Sequence, residues 1–229
     1  MKNKILLSIL CIALANFVKA QEPSEKTKES TENAQKFEFV MKPVFGFGFK
    51  SYQSAFDAAV GKKVRPGGGI GMEIGFAYRP VSRFELYLAY QMNLGGYFNA
   101  TVSNQGSSKF GHTFSRHLIN VNFYYVQPIN KKTLKAIKIG AGPSLCVFTK
   151  EKATFGGQSE SLKYKFTAGF NAEFGLELGF KKRPNFILYP GLEFHYAQYK
   201  LKLPDNISVP LNKINASGMG FFLGLIRKF

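Results

Sequence analysis

Negative charge, cysteine and histidine are all scarce in this sequence of 229 residues. It contains 14 Asp and Glu residues against 31 Lys and Arg, with two cysteines, three histidines and no tryptophan. Cys11 lies in a segment that we expect to be removed, which leaves Cys146 alone and excludes a disulfide within the mature chain. With no histidine or second cysteine close to it in the sequence, Cys146 predicts neither a metal site nor a redox pair.

A long apolar run is also missing. After the first 20 residues, no segment is apolar for long enough to form a membrane-spanning helix. If the mature chain lies in a membrane, it must cross as a closed barrel, because open sheet edges would leave backbone groups unpaired in hydrocarbon.

The N-terminus has the pattern of a secretory signal peptide. Basic residues at Lys2 and Lys4 precede an apolar run from Ile5 to Val18, and Val18-Lys19-Ala20 offers a cleavage point after Ala20. We therefore predict a signal peptide at 1–20, a flexible periplasmic leader at the polar residues 21–35, and a barrel domain at 36–229. Export argues against nucleic acid as the partner of the basic chain, and favours anionic lipid headgroups or acidic proteins.

From Lys36 onward, apolar and polar or small residues alternate in eight segments. Ile70, Ile74 and Phe76, for example, oppose Gly71, Glu73 and Gly75. A period of two places such sets on opposite faces of a strand. The connections alternate between short ones at 79–83, 128–134 and 181–185 and long ones at 50–66, 95–113, 149–162 and 202–213. The pattern predicts an all-β fold, an eight-stranded antiparallel transmembrane β-barrel with short periplasmic turns and long extracellular loops.

The alternation decides which face is inside. A soluble, lipocalin-like binder would put its large apolar residues inside, but a narrow barrel has little room for so many rings, whereas glycine and alanine fit there. We therefore predict that the rings face lipid, with tyrosines in interfacial girdles.

The polar face predicts a charged interior. Because isolated charges are costly in a narrow interior, we expect a salt-bridged plug and keep a small-solute channel as the alternative. The predicted interior residues are Glu73, Glu85, Arg83, Arg116, Lys138, Lys163, Lys165, Glu173, Glu177, Glu193 and His195.

Two features at the short-turn end could serve binding or assembly. The first is a periplasmic basic rim that could hold anionic headgroups or an acidic partner; ordinary solvation of the turns explains it equally well. The predicted rim comprises Arg79, Lys131, Lys132, Lys181, Lys182, Arg183, Arg227 and Lys228.

The second feature is the terminal Phe229, which is preceded by alternating apolar residues. This pattern is typical of the strand that the barrel assembly machinery recognises, although Arg227 occupies a position that is usually apolar.

Catalytic candidates are few. Ser115 and His117 share the outward parity and bring to mind outer-membrane lipid A deacylases, but the order there is His-x-Ser and no acidic partner can be assigned from the sequence. His112 is expected in a loop. No catalytic residue, cofactor site or metal site is predicted, and a lipid A-modifying enzyme is kept as the least favoured alternative.

The glycine-rich strands, such as KPVFGFGF, GGGIGMEIGFAYRP and FNAEFGLELGF, and the terminal aromatic residue resemble the PorT-type outer membrane β-barrel domain group of the Bacteroidota, over residues 36–229. The resemblance implies an OmpA/OmpX-like barrel in the outer membrane, with outer-membrane lipids and the barrel assembly machinery as partners. It implies a role with other envelope or secretion proteins less directly. The function expected from the sequence is therefore non-enzymatic anchoring, binding or assembly.

Overall fold

The computed structural model describes residues 37–52, 62–102, 108–129, 131–155, 157–200, 202 and 213–229, so the predicted signal peptide and leader lie outside the described residues. The described chain is built from β-strands. None of its described segments forms a helix that is long and apolar enough to cross a membrane. The strands are β1 Phe37–Gly48, β2 Gly69–Val81, β3 Phe84–Val102, β4 Ser108–Pro128, β5 Leu134–Phe155, β6 Gln158–Lys163, β7 Thr167–Phe180, β8 Arg183–Tyr196, β9 Gln198–Lys200, β10 Lys213–Asn215 and β11 Gly218–Lys228.

Eight of these strands close into an antiparallel barrel. Neighbours along the chain pair in the order β1, β2, β3, β4, β5, β7, β8 and β11, and β11 pairs back with β1 from Glu38↔Lys228 to Gly48↔Gly218. Strands β6, β9 and β10 are short additions at one end. The predicted eight-stranded antiparallel barrel is therefore confirmed.

The two ends of the barrel differ. The short turns β2–β3 and β7–β8, the β4–β5 connection and the C-terminus lie at what we call the short-turn end. The opposite, loop end is more regular than the sequence suggested. The predicted loop at 95–113 instead continues β3 to Val102 and begins β4 at Ser108, and the predicted loop at 149–162 contains the end of β5 paired with β6.

The alternating residues form strands whose two faces meet different surroundings. On β2, Ile70 and Phe76 are each 64% exposed on the outside, while Glu73 and Ala77 are 0% and 1% exposed on the inside. Phe123 on β4 is likewise 64% exposed. The barrel therefore carries apolar residues outside and most of its acidic residues inside, which contradicts the soluble, lipocalin-like arrangement.

Inward glycines make room for aromatic rings. A Cβ atom at Gly140 would lie 2.3 Å from the ring of Tyr124, and one at Gly175 would lie 2.3 Å from the ring of Tyr189. Tyr124 and Tyr189 are both buried, together with Tyr87 and Phe222. The glycine-rich face thus lets large rings cross a narrow interior that side chains fill.

Candidate functional site

The interior nearest the short-turn end holds three carboxylates and three cations, which we call the lower charge cluster. Lys138 Nζ lies 2.5 Å from Glu85 Oε1, and an Arg79 guanidinium nitrogen lies 2.6 Å from Glu177 Oε1 and 2.7 Å from Glu85 Oε2. Glu38 makes longer ion pairs of 3.2 to 3.5 Å with three cations. The lower charge cluster therefore has equal numbers of positive and negative formal charges, and this pairing offsets the cost of removing the buried ions from water. The members are Glu38, Arg79, Glu85, Lys138, Glu177 and Lys228.

A second group, the central charge cluster, lies further along the barrel and comprises Lys42, Glu73, Glu173 and Glu193. Lys42 Nζ is 2.6 Å from Glu73 Oε1 and 2.6 Å from Glu173 Oε2. Glu193 receives a hydrogen bond of 3.1 Å from the Gln91 side-chain amide instead. All four members are at most 6% exposed, so one buried cation faces three buried carboxyl groups.

Neutral side chains complete the coordination of these carboxyl groups. The Tyr87 hydroxyl donates to Glu73 Oε1 at 2.7 Å, and the Asn120 amide donates to Glu73 Oε2 at 2.9 Å. The Asn122 amide donates to Glu173 Oε1 at 3.1 Å. Hydrogen bonds to carboxylates are among the stronger ones in proteins, so these donors help to hold Glu73 and Glu173 in place.

Aromatic rings separate the two clusters. Lys42 Nζ lies 4.7 Å from the centre of the Phe222 ring and 5.2 Å from that of Tyr87. Lys138 Nζ lies 5.3 Å from the Tyr124 ring centre and 5.2 Å from that of Tyr189. Each lysine is therefore held by cation–π contacts as well as by carboxylates.

Two sets of three glutamates, one in each cluster, bring carboxylate oxygens within 4.8 Å of one another. Such a set could hold a metal ion. In both clusters, however, an ammonium or guanidinium group lies within ion-pair distance of these oxygens, 2.6 Å for Lys42 and 2.5 Å for Lys138. Five of these six carboxyl groups are thus already engaged by cationic side chains of the chain itself, and the sixth, Glu193, accepts a hydrogen bond from Gln91.

Towards the loop end, the interior changes character. The Arg116 guanidinium bonds to His195 Nε2 at 3.0 Å and donates to the carbonyl of Ala216 at 3.3 Å. Beyond it, a buried apolar group includes Phe114, Tyr164 and Tyr199. Side chains therefore also fill the described part of the barrel at this end.

His112 lies in β4, buried to 1% exposure, rather than in the loop that the sequence suggested. Its Nε2 is 2.6 Å from Glu151 Oε1, and the Tyr164 hydroxyl donates to the other oxygen of Glu151. Burial, followed by the charge of Glu151, raises the pKa of the Tyr164 hydroxyl above its usual range, so this group stays a donor at neutral pH.

The predicted interior set is correct at eight positions and wrong at three. The structure buries Glu73, Glu85, Arg116, Lys138, Glu173, Glu177, Glu193 and His195. Arg83, Lys163 and Lys165 are exposed instead. Arg83 lies in the β2–β3 turn, where strand alternation no longer applies, and the two lysines lie at a break between β6 and β7 that reverses the alternation.

Four interior charges were missed or assigned elsewhere. Glu38 and Lys42 share the polar parity of Gly46 and Gly48 in the sequence, but the predicted interior set leaves them out. Arg79 and Lys228 were predicted in the basic rim but turn inward to the lower charge cluster, with 14% and 19% of their side chains exposed. Their strand parity also indicates the inside.

The remaining rim residues are exposed at the short-turn end: Lys131, Lys132, Lys181, Lys182, Arg183 and Arg227. Arg83 joins them. The Arg227 guanidinium lies 5.0 Å from the ring centre of Phe229 and 5.9 Å from that of Phe186, so its stem and head follow the aromatic surface at the barrel edge.

Ser115 and His117 each have a different partner. The Ser115 hydroxyl donates to the Lys150 carbonyl oxygen at 3.2 Å, while His117 Nδ1 bonds to the Tyr90 hydroxyl and its ring packs edge-on against Phe148. A nucleophile and its base need a hydrogen bond between them, and both partners here are engaged elsewhere.

No protein-family model and no curated protein sequence matches this chain. Among solved structures, it is similar to Neisserial surface protein A, with 15% identity, a TM-score of 0.47, and 84% of this chain and 97% of that chain covered. The outer membrane protein OprG of Pseudomonas aeruginosa gives 12% identity, a TM-score of 0.48 and coverage of 85% and 96%. The Ail protein of Yersinia pestis gives 13% identity, a TM-score of 0.44 and coverage of 85% and 97%. The fold assignment rests on this chain's own strand pairing, and PorT-type membership stays a prediction.

Proposed function

We propose that this protein spans the outer membrane of a Gram-negative bacterium as a plugged barrel and acts without catalysis, as an anchor or binding platform for other envelope components. The short-turn end would face the periplasm and the loop end the exterior, as in other exported barrels with short turns and long loops.

The membrane location is supported by the outer surface of the barrel. Phe37, Phe45, Phe47 and Phe76 are 51% to 64% exposed, and similar residues recur on the other strands. A continuous apolar surface of this size is unfavourable in water and suits contact with lipid tails. Barrel closure pairs the backbone groups that would otherwise lie unpaired in hydrocarbon.

A binding or assembly role is supported by the exposed basic rim at the short-turn end. Lysine and arginine beside a membrane surface attract anionic headgroups and acidic partners. The resemblance to the PorT-type group would make that partner a component of the envelope or secretion machinery. Identifying the proteins that co-purify from the native envelope in mild detergent would name it.

The observation that carries the proposal is the lower charge cluster. Three carboxylates and three cations meet across the barrel at 2.5 to 3.5 Å, and buried rings lie directly above them. An ion crossing this section would have to separate buried pairs, which costs several kcal/mol, about 3 to 5 for the loss of one partner.

Conductance in planar lipid bilayers tests the plug. We expect no sustained open current from the reconstituted protein at neutral pH, because the paired charges and rings fill the interior. Successful insertion is checked by the change in gel mobility between heated and unheated samples. Sustained currents from folded protein would contradict the plug and favour the small-solute channel.

A further inference from the structure

Six lysines form a regular array on the outer wall of the loop end, which we call the lysine grid. Five of them are exposed and Lys150 is half-exposed. They lie on four neighbouring stretches of chain: the end of β5, the end of β6 and the residues after it, β9 with the residues that follow it, and β10. The grid comprises Lys150, Lys163, Lys165, Lys200, Lys202 and Lys213.

Strand pairing sets these lysines side by side. Lys150 pairs with Lys163 between β5 and β6, and Lys200 pairs with Lys213 between β9 and β10. Two backbone hydrogen bonds of 2.9 Å, from Lys165 N to Lys200 O and from Lys202 N to Lys163 O, join the two hairpins. In antiparallel strands, these bonds place Lys163 opposite Lys202 and Lys165 opposite Lys200, at Cα separations of about 4.5 to 5.5 Å.

Five of the six lysines alternate with buried residues and so point away from the barrel axis; the sixth, Lys202, is exposed opposite Lys163. Tyr164, Tyr199 and Ile214, which alternate with them, are 7%, 0% and 5% exposed and belong to the apolar group inside the loop end. Since successive residues of a strand point to opposite faces, the grid occupies the outer wall.

Among the residues that the structure describes, little negative charge lies near the grid. Of the eight glutamates that the structure describes, seven are buried, and only Glu160 is exposed, opposite Ala153 near the tip of the β5–β6 hairpin. Like charges directly opposite on paired strands are destabilising. An anion between the lysines would remove that repulsion.

The grid lies next to the aromatic edge of the apolar surface. Phe148, Phe166 and Tyr196, which are 42%, 63% and 46% exposed, are within a few residues of Lys150, Lys165 and Lys200 on the outer wall. Aromatic girdles mark the boundary between hydrocarbon and headgroups in membrane barrels. The lysines would therefore lie at the level of the headgroups of the outer leaflet.

We propose that the lysine grid binds the phosphate groups of phosphorylated glycolipids in the outer leaflet around the barrel. This inference rests on the proposed membrane location and orientation. The array is complementary in charge to clustered phosphates, and it faces sideways, where lipids lie. A soluble polyanion that approached from outside would meet the tip of the β5–β6 hairpin first.

Lipid retention in nanodiscs tests the proposal. The protein is reconstituted with phosphatidylcholine and a minor share of lipid A that carries two phosphates, and is then extracted into mild detergent. Native mass spectrometry counts the lipid A molecules that remain on each protein. We expect the protein to retain lipid A, and to lose that enrichment when the lipid A has been dephosphorylated.

The triple variant Lys163→Gln, Lys165→Gln and Lys200→Gln should lower retention at least tenfold, since each lysine near an anionic surface contributes roughly fivefold in affinity. The matched control is Lys50→Gln, Lys63→Gln and Arg65→Gln, which removes the same charge from exposed residues outside both the lysine grid and the basic rim and should keep retention near that of the unchanged protein. Because the grid variant loses like-charge repulsion, it should fold at least as well, which gel mobility checks.

The outcomes separate the two proposals. A protein that does not insert into bilayers contradicts the proposed function and this inference together. Insertion without preference for phosphorylated over dephosphorylated lipid A overturns the grid proposal alone. Binding of heparin that requires the grid, without any lipid preference, would instead assign the surface to a soluble polyanion.

Discussion

Lys42 Nζ contacts carboxylate oxygens of both Glu73 and Glu173 at 2.6 Å, and no part of the side chain reaches solvent. Its ammonium group is the only cation of the central charge cluster, which contains three carboxyl groups. Such an arrangement is stable only while the partners remain together, because each charge has lost its hydration.

Replacing this lysine should therefore destabilise the barrel strongly. We expect Lys42→Met to lower the free energy of unfolding by about 3 to 5 kcal/mol, since two carboxylates lose a buried partner. Urea unfolding in lipid vesicles, followed by circular dichroism and gel mobility because the chain has no tryptophan, measures this change.

Lys181→Met, in an exposed turn, is the control and should change stability by less than about 0.5 kcal/mol. The combined variant Lys42→Met, Glu73→Gln and Glu173→Gln should recover most of the loss, because a buried ion pair can often be replaced by neutral groups. An unchanged unfolding curve for Lys42→Met alone would contradict the ion-pair role.

Strand β11 closes the barrel, and the predicted assembly signal, Phe229, follows it directly. The Phe229 backbone N–H donates to the Phe37 carbonyl at 3.0 Å, and the two rings are 58% and 59% exposed at the same edge. Neither ring fills the interior, so the Phe229 side chain should contribute little to the stability of the folded barrel.

Phe229→Ala should therefore reduce assembly in cells by several-fold, measured as heat-modifiable protein in the outer-membrane fraction, while purified protein refolds into vesicles normally. Phe37→Ala removes an equally exposed ring from β1 and should leave assembly unchanged. Equal losses for both variants would assign Phe229 a general interfacial role and remove the recognition role.

The strands could be predicted from alternation because each residue's side follows from a period of two. This inference holds only within an unbroken strand. The connections predicted at 149–162 and 181–185 imply a single strand over residues 163–180, but β6 ends at Lys163 and β7 begins at Thr167. Across that break, Tyr164 turns inward while Phe170 and Phe174 face outward, so Lys163 and Lys165 were assigned to the wrong side.

The contacts inside the barrel could not be predicted in the same way. Alternation indicates that Glu73 and Glu173 face inward, but only the stagger of eight paired strands brings both to Lys42. Likewise, the extension of β3 and β4 beyond the predicted strands depends on their pairing with each other, as in Gly95↔Phe114 and Val102↔Ser108. Period-two patterning carries no information about register between distant strands.

The described part of the molecule separates its charges between inside and outside. Seven of the eight described glutamates are buried, whereas most described lysines are exposed on the rim, the loops or the lysine grid. The basic excess of the described residues is thus carried mainly on the surface. Added salt should weaken interactions of the exposed charges and leave the buried ion pairs nearly unchanged, because it screens exposed charges far more than buried pairs.

Raising the salt concentration from 0.1 M to 1 M shortens the screening length from about 10 Å to about 3 Å. We expect the heat-denaturation midpoint, measured by gel mobility in phosphatidylcholine vesicles, to change little, because the lower and central charge clusters are shielded by the barrel wall. Retention of phosphorylated lipid by the lysine grid should fall sharply over the same range. A large fall in the midpoint would mean that bulk ions reach the buried pairs, and that the interior is an aqueous path rather than a plug.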